Sequence, residues 1–489
     1  MRLLWLTMWW GMLPLGLWAN NLQLQPLGTP SDTALSLLIG WENSWHLPSD
    51  SAPANHDAVW LFVKYQAADG RWYHADLQDG ASLDSLLTVV VASDQKGAWV
   101  RRRSLGRGDI AAREIQLALA QPLPSDAQAV AVFGLEMAYV SPGPYWLGDG
   151  QSYHHFRDSS QGGPFFVASE APIGAAELTT DEEGKPVGDL PAPYPKGTQG
   201  FYQMKYELGQ AQYRDFLNCL SYEQQAQRSS AAPDAPAGTP ALALSPAFTN
   251  RNGLVIAQPG VPGTRPARYA CEANPDGQYD QPDDGQTRAC NFLRWADLAA
   301  YLDWAALRPL TELEFEKSCR GPAAPVAGEF AWGTPQVVDA NTVLQDGTAQ
   351  ETVAETATAT AGLASHGYAG PQGPLRAGFG AQAVGDRLQA GAGYYGAQEL
   401  SGNLWELCVG VRAAALPFDG RAGDGALSPQ GEANQATWPE AAGAMHRGGA
   451  FNSGIVGDFR DLAVSDRFYH ALLPEQRRNT TGGRGGRYP

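Results

Sequence analysis

The sequence predicts a sheet-rich α+β protein in two unequal parts. An antiparallel β-sandwich is expected over residues 20–135, and a longer unit of short strands, few helices and much loop over residues 136–489. Three observations predict this. Five runs of strand-forming residues, separated by turn residues, fill the first part. Apolar spacing of helical period occurs only beyond residue 200. The 56 Gly, 35 Pro and 15 Trp among 489 residues describe irregular structure pinned by large aromatic anchors.

The strand candidates run in order. They are Thr33–Trp41, Ala58–Tyr65, Leu87–Val91, Glu114–Leu119 and Ala129–Phe133, broken by turns such as Ala68-Asp69-Gly70 and Asp79-Gly80. Short strands with regular turns favour a sandwich. The cluster Trp41-Glu42-Asn43-Ser44-Trp45 suits either a strand-end core or a binding surface. Beyond it, residues 157–200 are rich in Gly, Pro, Asp and Glu and read as a long loop; residues 224–246 read as a flexible insertion. Tyr213, Phe216 and Leu217 give the i, i+3, i+4 spacing of a helix. Trp295–Arg320 is the clearest helical region, interrupted at Pro309. Thr311 with Glu314 three residues on forms a capping box that starts its second helix.

Residues 1–19 read as a signal peptide: Met1-Arg2, then an apolar run from Leu3 to Leu17, with cleavage after Ala19. The run is shorter than the ~20 residues of a bilayer span. No membrane span is expected in the mature chain, which is read as exported: periplasmic, cell-surface or secreted. A net charge of −17 repels phosphate backbones and argues against nucleic acid as a partner. The cysteines number five, Cys219, Cys271, Cys290, Cys319 and Cys408. In an exported chain Cys271 and Cys290, which flank one loop, are the natural disulfide pair; the alternative is five small buried thiols. The acidic loop Asn274–Gly285 lacks EF-hand spacing and reads as a solvated turn.

Several separate motifs follow one another through the longer part. Gly143-Pro144-Tyr145-Trp146-Leu147-Gly148 comes first, then Phe201–Glu207, Trp295-Ala296-Asp297-Leu298 and Tyr301–Trp304. Arg308-Pro309-Leu310-Thr311-Glu312 and Phe330-Ala331-Trp332-Gly333 come next. Tyr394–Glu406 carries Gly402-Asn403-Leu404-Trp405-Glu406, and His446-Arg447-Gly448-Gly449-Ala450-Phe451 comes last. In this order, over roughly residues 136–487, they resemble the formylglycine-generating enzyme, or sulfatase-modifying factor, family. The resemblance implies a C-type-lectin-like core. Residues 20–135 lie outside it.

The family activity implied is oxidation of a substrate cysteine at copper held by two cysteines, soft ligands suited to Cu(I). Those cysteines should follow Arg447-Gly448-Gly449, yet Cys408 is the last thiol of the chain. A second branch of the superfamily holds iron with a His-x-x-x-His-x-Glu motif, and none of the eight histidines shows that spacing. Neither copper nor iron is therefore expected. Adjacent His154 and His155 lie in a polar loop and read as solvated. The resemblance also implies structural calcium. Glu399, Gly402, Leu404 and Glu406 match one site, and Asn341, of the Ala340-Asn341-Thr342 step, opens a second. The alternative for Asn403, Trp405 and Glu406 is a buried hydrogen-bonded corner without metal.

The C-terminal stretch interleaves aromatics with arginines, the usual anchors of binding surfaces. Phe451, Phe468, Tyr469 and His470 are nominated as ligand-binding residues. Arg460 and Arg467 could instead brace the scaffold through Asp461 or Asp466. The sequence thus reads as a pseudoenzyme, an exported non-catalytic protein that binds or displays a protein or glycan ligand. The alternative is a metal-dependent oxidoreductase of the same superfamily with an altered site.

Overall fold

The computed structural model describes residues 21–28, 33–50, 52–82, 84–180, 187–245, 248–381, 386–454, 460–469 and 473–489. The expected signal peptide and His470 lie outside them. Nine strands build the first part: β1 (Gln23–Leu27), β2 (Ala34–His46), β3 (Asp57–Gln66), β4 (Trp72–Ala75), β5 (Leu77–Ser82), β6 (Leu87–Val91), β7 (Ala98–Arg102), β8 (Gly106–Leu119) and β9 (Ala129–Val140). Strands β1, β2, β8 and β5 form one antiparallel sheet in that order. In β2 the period-2 pattern aims Leu35, Leu37, Ile39 and Trp41 inward, each no more than 4% exposed. They face the second sheet, where a Cβ on Gly134 of β9 would come within 2.8 Å of Leu24.

That second sheet does not stop at the end of the first part. Its order is Arg308–Pro309, Gly485–Arg487, Phe201–Met204, β9, β3, β7 and β6, with β4 also on β3. The expected division between residues 135 and 136 falls inside β9, which pairs with β3 along its length and with Phe201–Met204 through Met137–Val140. The physical cause is legible in β3. Ala58–Val63 is a continuous apolar run, fully buried because both faces of the strand are covered. Leu24 and Leu35 lie in the same apolar core as Phe62, Phe133 and Trp304. Phe62 meets Trp304 edge-on at 5.1 Å, and the Trp60 indole donates to the Ala305 carbonyl at 2.9 Å.

Four α-helices are described: α1 (Gln210–Asn218), α2 (Tyr222–Arg228), α3 (Trp295–Trp304) and α4 (Glu312–Arg320). The Thr311 hydroxyl accepts the Glu314 N–H at 3.1 Å and the Glu314 carboxylate accepts the Thr311 N–H at 3.0 Å, which is the expected capping box. Helix α2 occupies the start of the stretch expected as a flexible insertion, where Ser221 and Gln224 form a second capping box. The long loop of residues 157–200 holds short strands, Phe165–Val167 and Leu178–Thr180 among them. All five cysteines are free thiols, and Cys271 and Cys290 are both fully buried.

Candidate functional site

Three features converge on the C-terminal half of the longer part. The first is the corner at Gly402–Glu406. Gly402 has φ +95°, and a Cβ there would sit 2.5 Å from the Ser365 carbonyl, so the turn requires glycine. Asn403 follows at φ 62°. Its Oδ1 accepts the Leu375 N–H at 2.9 Å and its Nδ2 donates to Glu207. Glu207 also accepts the Leu404 N–H at 3.0 Å. Glu406 is gripped by Arg484, whose Nε and Nη2 each donate to one carboxylate oxygen at 2.7 Å. Glu399, at φ 58°, accepts the Gly378 N–H at 2.9 Å, and its other oxygen has no hydrogen-bond partner. Burial pushes the Glu399 carboxyl up to about 8. Burial, with the neighbouring Glu406 and Glu399 charges, holds Glu207 well above the usual carboxylate range.

The second feature is an ion-pair lattice on α4. Glu312, Glu316 and Arg320 recur every four residues and share one helix face. Arg447 reaches Glu312 at 3.0 Å and Glu316 at 2.8 Å; Arg320 reaches Glu316 at 3.1 Å and the Ser465 hydroxyl at 2.7 Å. Arg467 pairs with Glu312 at 2.8 Å. The brace expected for Arg467 therefore exists, with Glu312, which the sequence did not single out, as a partner. Both the Arg447-Gly448-Gly449 step and residues 464–467 are fastened to the helix in this way.

The third feature is at the surface. The Arg460 guanidinium lies over the Tyr153 ring at 4.6 Å and over the Phe468 ring at 4.8 Å. Tyr153 is 49% exposed and Phe468 40%. His154 stacks on Phe468 at 5.7 Å, and Tyr469 meets Phe468 edge-on at 4.7 Å and Trp405 at 6.2 Å. Phe468 and Tyr469 thus lie together on one face. Phe451 does not join them. It is 1% exposed and packs against Ala289 and Leu404, while its N–H donates to the Asn403 carbonyl at 2.8 Å. It is a core residue because the Gly448-Gly449 turn carries the chain inward beneath the corner. Tyr153 and His154 were not nominated as part of this face, since they lie some 300 residues from Phe468 in sequence.

The candidate metal residues divide. At the corner, both oxygens of Glu406 already receive guanidinium N–H groups, and a cation beside Arg484 would meet its positive charge. Glu406 is thereby committed to Arg484, while the second oxygen of Glu399 keeps no hydrogen-bond partner. Around Asn341 the outcome differs. Its Oδ1 is buried without a hydrogen-bond partner, and Glu355, which the sequence did not single out, accepts the N–H groups of Asn341 and Thr342 at 3.2 and 3.1 Å. An amide oxygen and a carboxylate are hard donors of the kind calcium takes. For copper the thiols present do not fit. Cys319 and Cys408 are buried in an apolar cluster with Phe315 and Leu400, and burial pushes both thiols up, away from the thiolate form. Among the described residues no group of three or more His, Cys, Asp or Glu is placed to share an ion, and no helix is long and apolar enough to cross a membrane.

The family model of the sulfatase-modifying factor enzyme 1-like domain matches residues 160–466. No curated protein matches the chain. The matched span contains the Gly402–Glu406 corner, helix α4 and the Arg447-Gly448-Gly449 step, and it is well over half of the chain; the protein belongs to the sulfatase-modifying factor enzyme 1-like family.

Proposed function

We propose that this chain is an exported, non-catalytic member of its family that binds a protein or glycan ligand through the face built by Tyr153, Arg460, Phe468 and Tyr469. The observation that carries the reading is the Arg460 guanidinium held between two exposed rings. Flat aromatic faces and a stacked guanidinium are rigid, amphipathic contact groups that lose little entropy on binding. The C-type-lectin-like arrangement implied by the sequence would present this face outward from a braced scaffold. The corner and the α4 lattice then serve as that scaffold: they fix backbone and hold no reacting group. Structural calcium, in this reading, belongs to Asn341 and Glu355. It would tie two loop segments together and supply no chemistry. The reading is tested on a glycan array and a panel of displayed extracellular proteins. Phe468→Ala with Tyr153→Ala should abolish every specific signal without lowering the melting temperature. Signals that survive the double variant would place the ligand elsewhere.

A further inference from the structure

Arginine is concentrated at one corner of the N-terminal sheets. The chain has 34 Lys and Arg among 489 residues, yet Arg101, Arg102, Arg103 and Arg107 fall within a single short stretch. Residues 103–105 form the corner where the chain leaves β7, in the larger sheet, and enters β8, in the smaller one. Arg102 is buried, Arg101 half-buried, and Arg103 and Arg107 exposed. The hydrogen bonds of these guanidinium groups go to neutral oxygens. Arg101 donates to the Arg102 carbonyl at 3.4 Å, Arg102 to the Ser44 hydroxyl at 3.0 Å and the Gly108 carbonyl at 2.5 Å, and Arg103 to the Leu87 carbonyl at 3.0 Å. Arg113, further along β8, reaches Asp84 at 3.3 Å; none of the four has such an ion pair among the described residues.

Between the two exposed arginines stands Leu105, 60% exposed. It lines an open cavity of about 510 Å³ whose walls include Leu47, Pro48 and Ala54, so apolar surface continues behind it. Asp50 lines the same cavity, and Asp109, two residues beyond Arg107, accepts the Asn43 N–H at 2.9 Å. These two acids offset part of the arginine charge and leave the corner positive. The chain as a whole carries −17. Charges more than about 8 Å away are largely screened at physiological ionic strength, so the corner acts by its own charges.

We infer that this corner docks the protein peripherally on an anionic lipid surface. Arg103 and Arg107 donate to lipid phosphates, with Arg101 behind them, and Leu105 enters the boundary between headgroups and acyl chains. The exposed leucine is what favours lipid: a hydrated acidic polysaccharide would engage the arginines and gain nothing from Leu105. Flotation of the full chain with vesicles tests this. The protein should float with vesicles of equimolar phosphatidylcholine and phosphatidylglycerol, stay behind with phosphatidylcholine alone, and be released by added salt. Each arginine close to an anionic surface strengthens binding by about fivefold, so Arg103→Gln with Arg107→Gln should weaken the partition by at least about tenfold. Leu105→Ser should weaken it several-fold. Melting temperatures should not change, since these side chains are exposed. Residues 1–19 are themselves apolar, so native and variant chains are compared with that segment intact in both. Equal flotation with both kinds of vesicle, or flotation untouched by the arginine substitutions, would overturn the inference. So would retention on a sulfated polysaccharide that exceeds vesicle binding and is indifferent to Leu105→Ser, which would assign the corner to a glycan. Phe468→Ala with Tyr153→Ala should leave flotation unchanged, so the corner and the aromatic face stand or fall separately.

Discussion

Arg484 holds Glu406 as a two-pronged ion pair across 78 residues of sequence, each carboxylate oxygen receiving one guanidinium N–H at 2.7 Å. Both side chains are 1% exposed. Arg484 also donates to the Gln398 carbonyl at 2.6 Å, so it ties three segments together. Removing one partner leaves the other charged and buried, which costs roughly 3–5 kcal/mol. Arg484→Met should therefore lower the unfolding free energy by about that amount in urea titration. The double variant Glu406→Met with Arg484→Met should lose clearly less. A double variant no more stable than the single one would show that the pair is not the lock.

Asn403 separates conformation from hydrogen bonding. At φ 62° an alanine is strained, and it also loses the bonds to Glu207 and Leu375. Asn403→Gly keeps the backbone geometry and loses only the bonds. Thermal unfolding should rank native above Asn403→Gly above Asn403→Ala, with each step about 1–2 kcal/mol. Equal loss in the two variants would mean that the left-handed backbone carries no weight.

The cation reading at Asn341 and Glu355 has its own test. Calcium at about a hundred times its dissociation constant stabilises a native state by about 2.7 kcal/mol. Chelation should lower the melting temperature of the native chain, and Glu355→Gln should make the protein indifferent to it. Arg484→Met should keep the full chelator response if the cation sits, as proposed, at Asn341 and Glu355. A chelator response unaltered by Glu355→Gln would move the cation elsewhere.

Lys64 gives a pH signature. It is 1% exposed, sits 5.1 Å over the Trp304 ring and donates to the Gly425 carbonyl at 2.5 Å. Burial, partly offset by the charges of Asp303 and Asp424, lowers its ammonium from 10.5 to about 7. Between those two values the unfolded chain holds a proton that the folded chain has released. Stability contributed by this residue therefore rises with pH through that window and is lost as pH falls through about 7. The slope from one proton is at most about 1.4 kcal/mol per pH unit. Urea titrations at pH 7 and pH 9 should show a stability increment in the native protein that is absent from Lys64→Met. The same increment in both would assign the effect to other groups.

Local signals were legible in the sequence and long-range partners were not. The Thr311–Glu314 capping box involves residues three apart, and the structure forms it as written. Four of the five strand candidates lie inside observed strands, and the fifth, Thr33–Trp41, starts one residue before β2. Strands β1, β4, β5 and β7 were missed, because Gln23–Leu27 contains a proline and Ala98–Arg102 ends in two arginines. The division at residue 135 was drawn from motif limits, while β9 runs past it because its second half pairs with Phe201–Met204. The Gly402–Glu406 turn was recognisable as a motif, but Arg484 as the partner of Glu406 was not, since no spacing rule links them. Phe451 looked like its aromatic neighbours, and only the path of the Gly448-Gly449 turn shows that it points inward. Tyr153 and Arg460 meet for the same kind of reason: Arg467 donates its N–H to the Tyr153 carbonyl at 2.9 Å and brings the two loops together.

The central claim, a family member that binds and does not oxidise cysteine, meets its most direct test in one assay. The purified full-length protein is supplied with copper, oxygen and a sulfatase-derived peptide containing one cysteine, and peptide thiol is followed by mass spectrometry against a control of copper alone. The thiol should persist at the rate of the control. Catalytic conversion of the cysteine beyond that control would contradict the account.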